Sequence, residues 1–249
     1  MDVTLYTMPI SHPGWSARLA LARKGVEPKV VDLPAGTHPG LLWARGFRKG
    51  TVPALRIDGR RVEGSLAIVQ ELERLVPEPS LYPADPQRRA AVEQAERWGE
   101  AVVQELPRTI ARHAIAYDRA VRVWFMGEHA GMPLPSVAAT LTVPVARLMA
   151  ARANGNSKAG VVAALTELPG VLDRVDELLA DGLLGEPDAP NAAGTQIAPS
   201  IALIAALADV ADLTEGRPST AWAQALLPDF PGGSPRSEKV AALRRQAGV

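Results

Sequence analysis

Thr51-Val52-Pro53-Ala54-Leu55, followed by Glu63-Gly64-Ser65-Leu66-Ala67-Ile68, decides how this chain folds. The first run reads as a strand interrupted by proline, which removes a ladder N–H and so belongs at an edge or a special turn. The Val52–Pro53 bond is a candidate for the cis form. The N–H and C=O of Val52 beside it are candidates to pair with an extended peptide. The second run opens a helix at Ser65, whose first N–H groups and positive dipole end suit a carboxylate. Together the two elements are suited to gripping a small acidic peptide.

Working outward, Val3 to Thr7 reads as a strand and Trp15 to Lys24 as a helix ended by Gly25. Lys29 to Asp32 is a second strand, Pro39 to about Phe47 a short helix, and Val52 to Ile57 a third strand. Asp58-Gly59 is a hairpin turn, Arg60 to Val62 a fourth strand, and Ser65 to Val76 a helix. The order is βαβαββα, with the first two strands parallel and the last two an antiparallel hairpin. Pro77 to Pro83 reads as a linker. Beyond it the pattern is helical. One long helix is expected from Asp85-Pro86 past Arg119 despite Pro107, a second from Ser136 to about Asn154, and a third from Ser157 to Asp181, bent at Pro169. Asn191 caps a fourth helix through Ala208, and shorter helices follow near Thr220 to Leu227 and Ser237 to Gln246. The division expected is a first domain over 1–78, a linker over 79–86 and an all-helical domain over 87–249.

The 249 residues are 47% apolar and 22% charged, enough to bury a core without staples. Twenty-seven basic residues balance 27 acidic ones, so nothing points to nucleic acid as a partner. The absence of cysteine excludes disulfides, thiolate metal ligands and a cysteine nucleophile, and fits a reducing cytoplasm. Neither a signal peptide nor an apolar stretch near the ~20 residues that span a bilayer is evident, so no membrane partner is expected. Histidines 12, 38, 113 and 129 show no metal-ligand spacing.

The βαβαββα unit, the proline-rich linker and the helical remainder resemble the cytosolic glutathione S-transferase family, in a bacterial, serine-type form. Val52-Pro53-Ala54-Leu55 matches the family's proline strand, and Gly64-Ser65-Leu66-Ala67-Ile68 its helix-opening serine motif. Leu183-Leu184-Gly185 and Asn191-Ala192-Ala193-Gly194 match its Leu-x-Gly and helix-capping segments. The resemblance implies a thioredoxin-like α/β first domain, an all-α second domain, glutathione as co-substrate, a small hydrophobic electrophile as second substrate, and a cytoplasmic homodimer serving detoxification. Two positions depart from the pattern. Gly64 stands where the family keeps Glu or Gln, which removes a side-chain bond to the γ-glutamyl end. Gly194 stands where it keeps Asp, an expected loss of about 1 kcal/mol of capping.

The resemblance also implies a set of site residues. Ser11 aligns with the thiol-activating hydroxyl, and His12 beside it is a candidate second donor. Val52, Pro53, Gly64 and Ser65 are the peptide-docking candidates. Lys49, with His38 and Arg48 as rivals, is the cation for the glycine carboxylate. Tyr6 is a competing hydroxyl. Trp98, His113, Tyr117 and Trp124 are candidates for the second-substrate wall. Each has a plainer role open to it: a helix cap for Ser11 and Ser65, strand packing for Tyr6, a solvated loop for His12 and the cations, and core for the aromatics. The alternatives to a transferase are a non-catalytic binding module of the same fold, an enzyme using another small thiol, and a thiol-dependent isomerase.

Overall fold

In a computed structural model, which describes residues 1–130, 132, 134–152 and 157–249, the chain begins with a four-stranded sheet. Its strands are β1 (Val3–Thr7), β2 (Lys29–Asp32), β3 (Ala54–Ile57) and β4 (Arg60–Glu63), in the order β2-β1-β3-β4. β1 runs parallel to β2 and antiparallel to β3, and β3 runs antiparallel to β4. The period of two places Val3, Leu5, Leu55 and Ile57 in the main core, while Tyr6 and Ala54 face a second cluster with Leu33, Leu42 and Phe47. Helices α1 (His12–Arg23) and α3 (Ser65–Leu75) cover the main-core face. The short α2 (His38–Trp43) covers the other face.

Residues 76–85 carry neither helix nor strand. The buried Lys24 ammonium ties α1 to this stretch by donating to the Glu73 carboxylate and to the Pro77 and Pro79 carbonyls. Past it come α4 (Pro86–Trp98), a wide π-turn over Gly99–Val103, α5 (Glu105–Tyr117), α6 (Arg119–Trp124), a second π-turn over Phe125–His129, α7 (Pro135–Leu141), α8 (Val143–Arg152) and α9 (Lys158–Ala180). A two-residue hairpin, β5 (Gly185–Glu186) with β6 (Ala189–Pro190), leads into α10 (Ala192–Ala206). α11 (Pro218–Leu226) and α12 (Glu238–Ala247) complete the chain. α10 is buried along nearly its whole length and packs against α1, so one apolar core runs from the sheet into the bundle.

The structure corrects several boundaries. The first helix begins at His12, not Trp15, because Ser11 caps it and Pro13 sits in its first turn, where a missing N–H costs nothing. The third strand begins after Pro53, not at Val52. The single long helix expected from residue 85 is divided. At the first π-turn the Gln104 N–H bonds back to Gly99 O at 2.9 Å, so Pro107 falls in the first turn of a new α segment. Gly99 permits this crossing, since a Cβ there would stand 2.8 Å from Ile197 Cγ1. Asp118 then stops α5 in an extended conformation and caps α6, accepting from the N–H groups of Ala120 and Val121. The helix expected over 136–154 is two helices broken at Thr142, before Pro144, and its last two positions lie outside the described residues.

Glu96 on α4 is buried, with Oε2 accepting from the Tyr82 hydroxyl at 2.9 Å. Burial pushes its carboxyl up to about 7. The unfolded chain releases this proton near pH ~4.3, so the native state binds it more tightly, and stability falls as pH rises from there towards neutrality. Urea titrations at about pH 5 and about pH 8 should show this loss, and Glu96→Gln should flatten it. An unchanged pH slope in that variant would contradict the assignment.

Candidate active site

Four segments converge beside the carboxyl end of β1. The loop after β1 is fixed by Trp15, whose indole N–H donates to Pro9 O at 2.8 Å, and by Ser11 N–H donating to Met8 O at 3.0 Å. Ser11 is buried, and its Oγ accepts from the Gly14 N–H at 3.2 Å. Capping uses the hydroxyl as acceptor, so its O–H stays free to donate to a ligand. Gly14 is required here, because a Cβ would lie 2.0 Å from Thr7 Oγ1 and 3.2 Å from Ser11 Oγ.

His12 is the first residue of α1 and is buried. Its Nε2 lies 3.4 Å from Arg108 Nη2 on α5. Burial first, then the charges of Arg108 and Arg112, hold its pKa well below the usual histidine value, so the ring is neutral at neutral pH. A neutral ring accepting from Arg108 carries its proton on Nδ1, which is buried without a partner among the described residues.

The Val52–Pro53 peptide is cis and precedes β3. Pro53 O accepts from the Gly64 N–H at 3.0 Å, which locks this corner to the start of α3. The N–H and C=O of Val52 have no protein partner among the described residues. Gly64 has φ 98° and ψ 147°, a region nearly reserved for glycine, although a Cβ there would meet nothing within 4 Å. Gly64→Ala is therefore expected to destabilise by about 1–3 kcal/mol through backbone strain alone, read from denaturant midpoints. A neutral effect would show that the corner relaxes.

α1, α4, α6, α9, α10 and α12 each begin with a side chain capping a backbone N–H, whereas α3, like α2, α5, α7 and α11, has no such cap. What sets α3 apart is its place, since its uncapped N-terminus adjoins the Val52–Pro53 corner through the Gly64 N–H bond to Pro53 O. Ser65, buried at the first position of α3, accepts from Gln104 Nε2 at 3.2 Å. Gln104 Nε2 also donates to Gln196 Oε1 at 2.7 Å, and Gln104 Oε1 accepts from Arg108 Nη2 at 3.2 Å. Ser65, Gln104, Gln196, Arg108 and His12 thus form one polar network between the sheet domain and the helices. Sequence reasoning missed Gln104, Arg108 and Gln196, which lie 39 to 131 residues from Ser65 along the chain and carry no local motif.

The remaining candidates separate. Lys49 is exposed, and Glu63 on β4 accepts from the N–H groups of both Arg48 and Lys49, at 2.9 and 2.7 Å. His38 is buried at the start of α2, and burial lowers its pKa, so it supplies no cation at neutral pH. Tyr6 packs edge-on against Phe47 in the second cluster. Trp98 and Trp124 pack against the main core, and His113 is buried 4.6 Å from the Tyr117 ring, leaving Tyr117 as the exposed member of that group. Among the described residues no group of three or more His, Cys, Asp or Glu side chains is placed to hold a metal ion, and no helix is long and apolar enough to cross a membrane.

Residues 5–80 match the family model for the glutathione S-transferase N-terminal domain. Maleylacetoacetate isomerase from Rattus norvegicus is 39% identical over 92 residues, which are 35% of this chain and 43% of the relative. Glutathione S-transferase 1 from Dianthus caryophyllus is 39% identical over 93 residues, 36% of this chain and 42% of the relative. The chain thus spans less than half the length of the curated relatives it matches. Over the whole chain the fold is similar to the β-etherase LigF from Sphingobium sp. strain SYK-6, with a TM-score of 0.65 and 18% identity, covering 99% of this chain and 100% of that one. A glutathione S-transferase-I solved with lactoylglutathione gives a TM-score of 0.60 and 19% identity, covering 98% and 100%. Residues 5–80 thus match a glutathione S-transferase N-terminal domain in sequence, and over the whole chain the fold is that of these solved structures, a thioredoxin-like α/β unit followed by helices.

Proposed function

We propose that this protein is a glutathione-dependent transferase that ionises the thiol and directs it at an electrophilic carbon. The observation that carries the reading is the uncapped N-terminus of α3, with Ser65 at its first position, beside the unpaired backbone of Val52. The γ-glutamyl carboxylate binds the free N–H groups of α3 and the Ser65 hydroxyl. The cysteinyl backbone pairs with Val52, Lys49 or Arg48 meets the glycine carboxylate, and the sulfur lies at Ser11. Gly64 contributes its backbone where the family uses a side chain.

A free thiol with a pKa of about 8.5 is mostly protonated at neutral pH. Lowering it by two units takes about 2.7 kcal/mol of preferential stabilisation of the thiolate. The Ser11 O–H and the positive end of α1 supply it. The neutral His12 ring, held by Arg108, adds a donor only if its Nδ1–H turns to the ligand. The thiolate then attacks the electrophile, forming the C–S bond as the leaving group departs with the bonding pair.

We further propose a first domain over 1–78, a linker over 79–86 and a helical domain over 87–249, assembled as a cytoplasmic homodimer serving detoxification. Thiolate absorbance of the glutathione complex across pH tests the chemistry. The bound thiol is expected to titrate about two units below its free value; an unshifted titration would remove the thiol-activating role.

A further inference from the structure

We propose that the second substrate carries an anionic group, a carboxylate or its equivalent, and that Arg112 on α5, with Arg108 beside it, recognises that group. The proposal rests on the glutathione reading above and names the class of its second substrate. Gln104, Arg108 and Arg112 recur every four residues, so they share one stripe running along α5 from the residue before it. Burial falls along the stripe: Gln104 is buried against Ser65, Arg108 is half-buried against His12, and Arg112 is exposed. The stripe thus leads from the γ-glutamyl end, past the thiol end, to open water.

Charge along the stripe is out of balance. Arg108 is paired with Glu105 and accepted by Gln104 Oε1, whereas Arg112 has no hydrogen bond or ion pair with a described residue. His12 is neutral and offers no negative charge. The i,i+4 spacing sets the Arg108 and Arg112 charges side by side on α5, and desolvation of the inner part of the otherwise exposed Arg112 side chain, then the Arg108 charge, lower its pKa against the opposing pull of Glu105. A bound anion reverses that repulsion and accepts the bidentate fork a guanidinium presents. In the proposed complex the carboxylates of glutathione have other partners, at the start of α3 and at Arg48 or Lys49, whose backbone is held by Glu63 of β4. The anion for Arg112 therefore belongs to the molecule that the thiol attacks.

Calorimetric titration with two glutathione thioethers tests this, S-benzylglutathione and its S-(4-carboxybenzyl) analogue. The carboxylate form is expected to bind about ten-fold tighter at low salt. In Arg112→Gln the ratio of the two dissociation constants is expected to fall to near one. Added salt should erode the preference in the unaltered protein. Equal affinities in the unaltered protein, or a ratio that survives in Arg112→Gln, would overturn the proposal while leaving the glutathione reading standing. Binding of neither thioether would overturn both.

Discussion

Ser11→Ala is expected to lower glutathione-conjugating turnover by about 100-fold, the rate equivalent of losing about 2.7 kcal/mol of thiolate stabilisation. The same change removes the side-chain cap on α1, because Ser11 Oγ accepts from Gly14 N–H. Losing such a cap costs about 1 kcal/mol, which in a chain of this size shifts the melting midpoint by only about 2–4 °C. The two effects therefore separate. Ser11→Thr keeps both the cap and the hydroxyl, and should recover most of the turnover if the hydroxyl reaches the sulfur. A Ser11→Ala protein that melts a few degrees lower but turns over normally would reduce Ser11 to its capping role. The bound-thiol titration should move with the turnover, which a purely structural role would not produce.

Gly194→Asp, which restores the residue the family carries at that position, is expected to destabilise by about 3 kcal/mol, within the range of overpacking in a close-packed interior. The sequence suggests the opposite, that Gly194 forfeits part of a reciprocal cap. In the structure nothing is forfeited. Asn191 Oδ1 accepts from Gly194 N–H at 3.1 Å, and the Asn191 N–H donates to Leu184 O at 3.2 Å. Asn191 Nδ2 donates to Leu183 O at 3.0 Å, so one side chain closes the β5–β6 hairpin onto α10. A Cβ at residue 194 would fall 2.2 Å from the Leu184 carbonyl oxygen and 2.9 Å from Pro190 Cβ. Backbone cannot swing aside as a flexible side chain can. Chemical denaturation of the variant checks this, and a midpoint at or above that of the parent would show that the hairpin yields. Gly185 sits in the same corner at φ +94°, and a Cβ there would meet Asn191 N at 2.4 Å.

The sheet was legible because its signals are local. A period of two, a proline before Ala54, an Asp58-Gly59 turn and an amphipathic run after Ser65 each fix one element without reference to distant chain. Ser11 and Ser65 were legible as hydroxyls at helix starts. The network behind them was not, because Gln104 and Gln196, 92 residues apart, meet only where the π-turn before α5 packs on α10. The first π-turn is invisible to a 3.6-residue period, yet it sets the register that turns Gln104 towards Ser65. Two missed boundaries did carry signals: His12-Pro13 offered proline in a first turn, and Asp118 offered an N-cap. Gly194 misled for a different reason. A missing carboxylate is visible in a sequence, whereas the carbonyl that takes its space is not.

The measurement that bears most directly on the account is calorimetric titration with glutathione at low salt, with Ser65→Ala alongside. Ser65 Oγ accepts from Gln104 in the free protein and meets the γ-glutamyl carboxylate in the proposed complex. Binding is expected between the micromolar and low-millimolar range. Ser65→Ala should weaken it by about ten-fold, as for the loss of one charge-assisted hydrogen bond. No heat at several millimolar glutathione, or equal affinity in Ser65→Ala, would contradict the site proposed here.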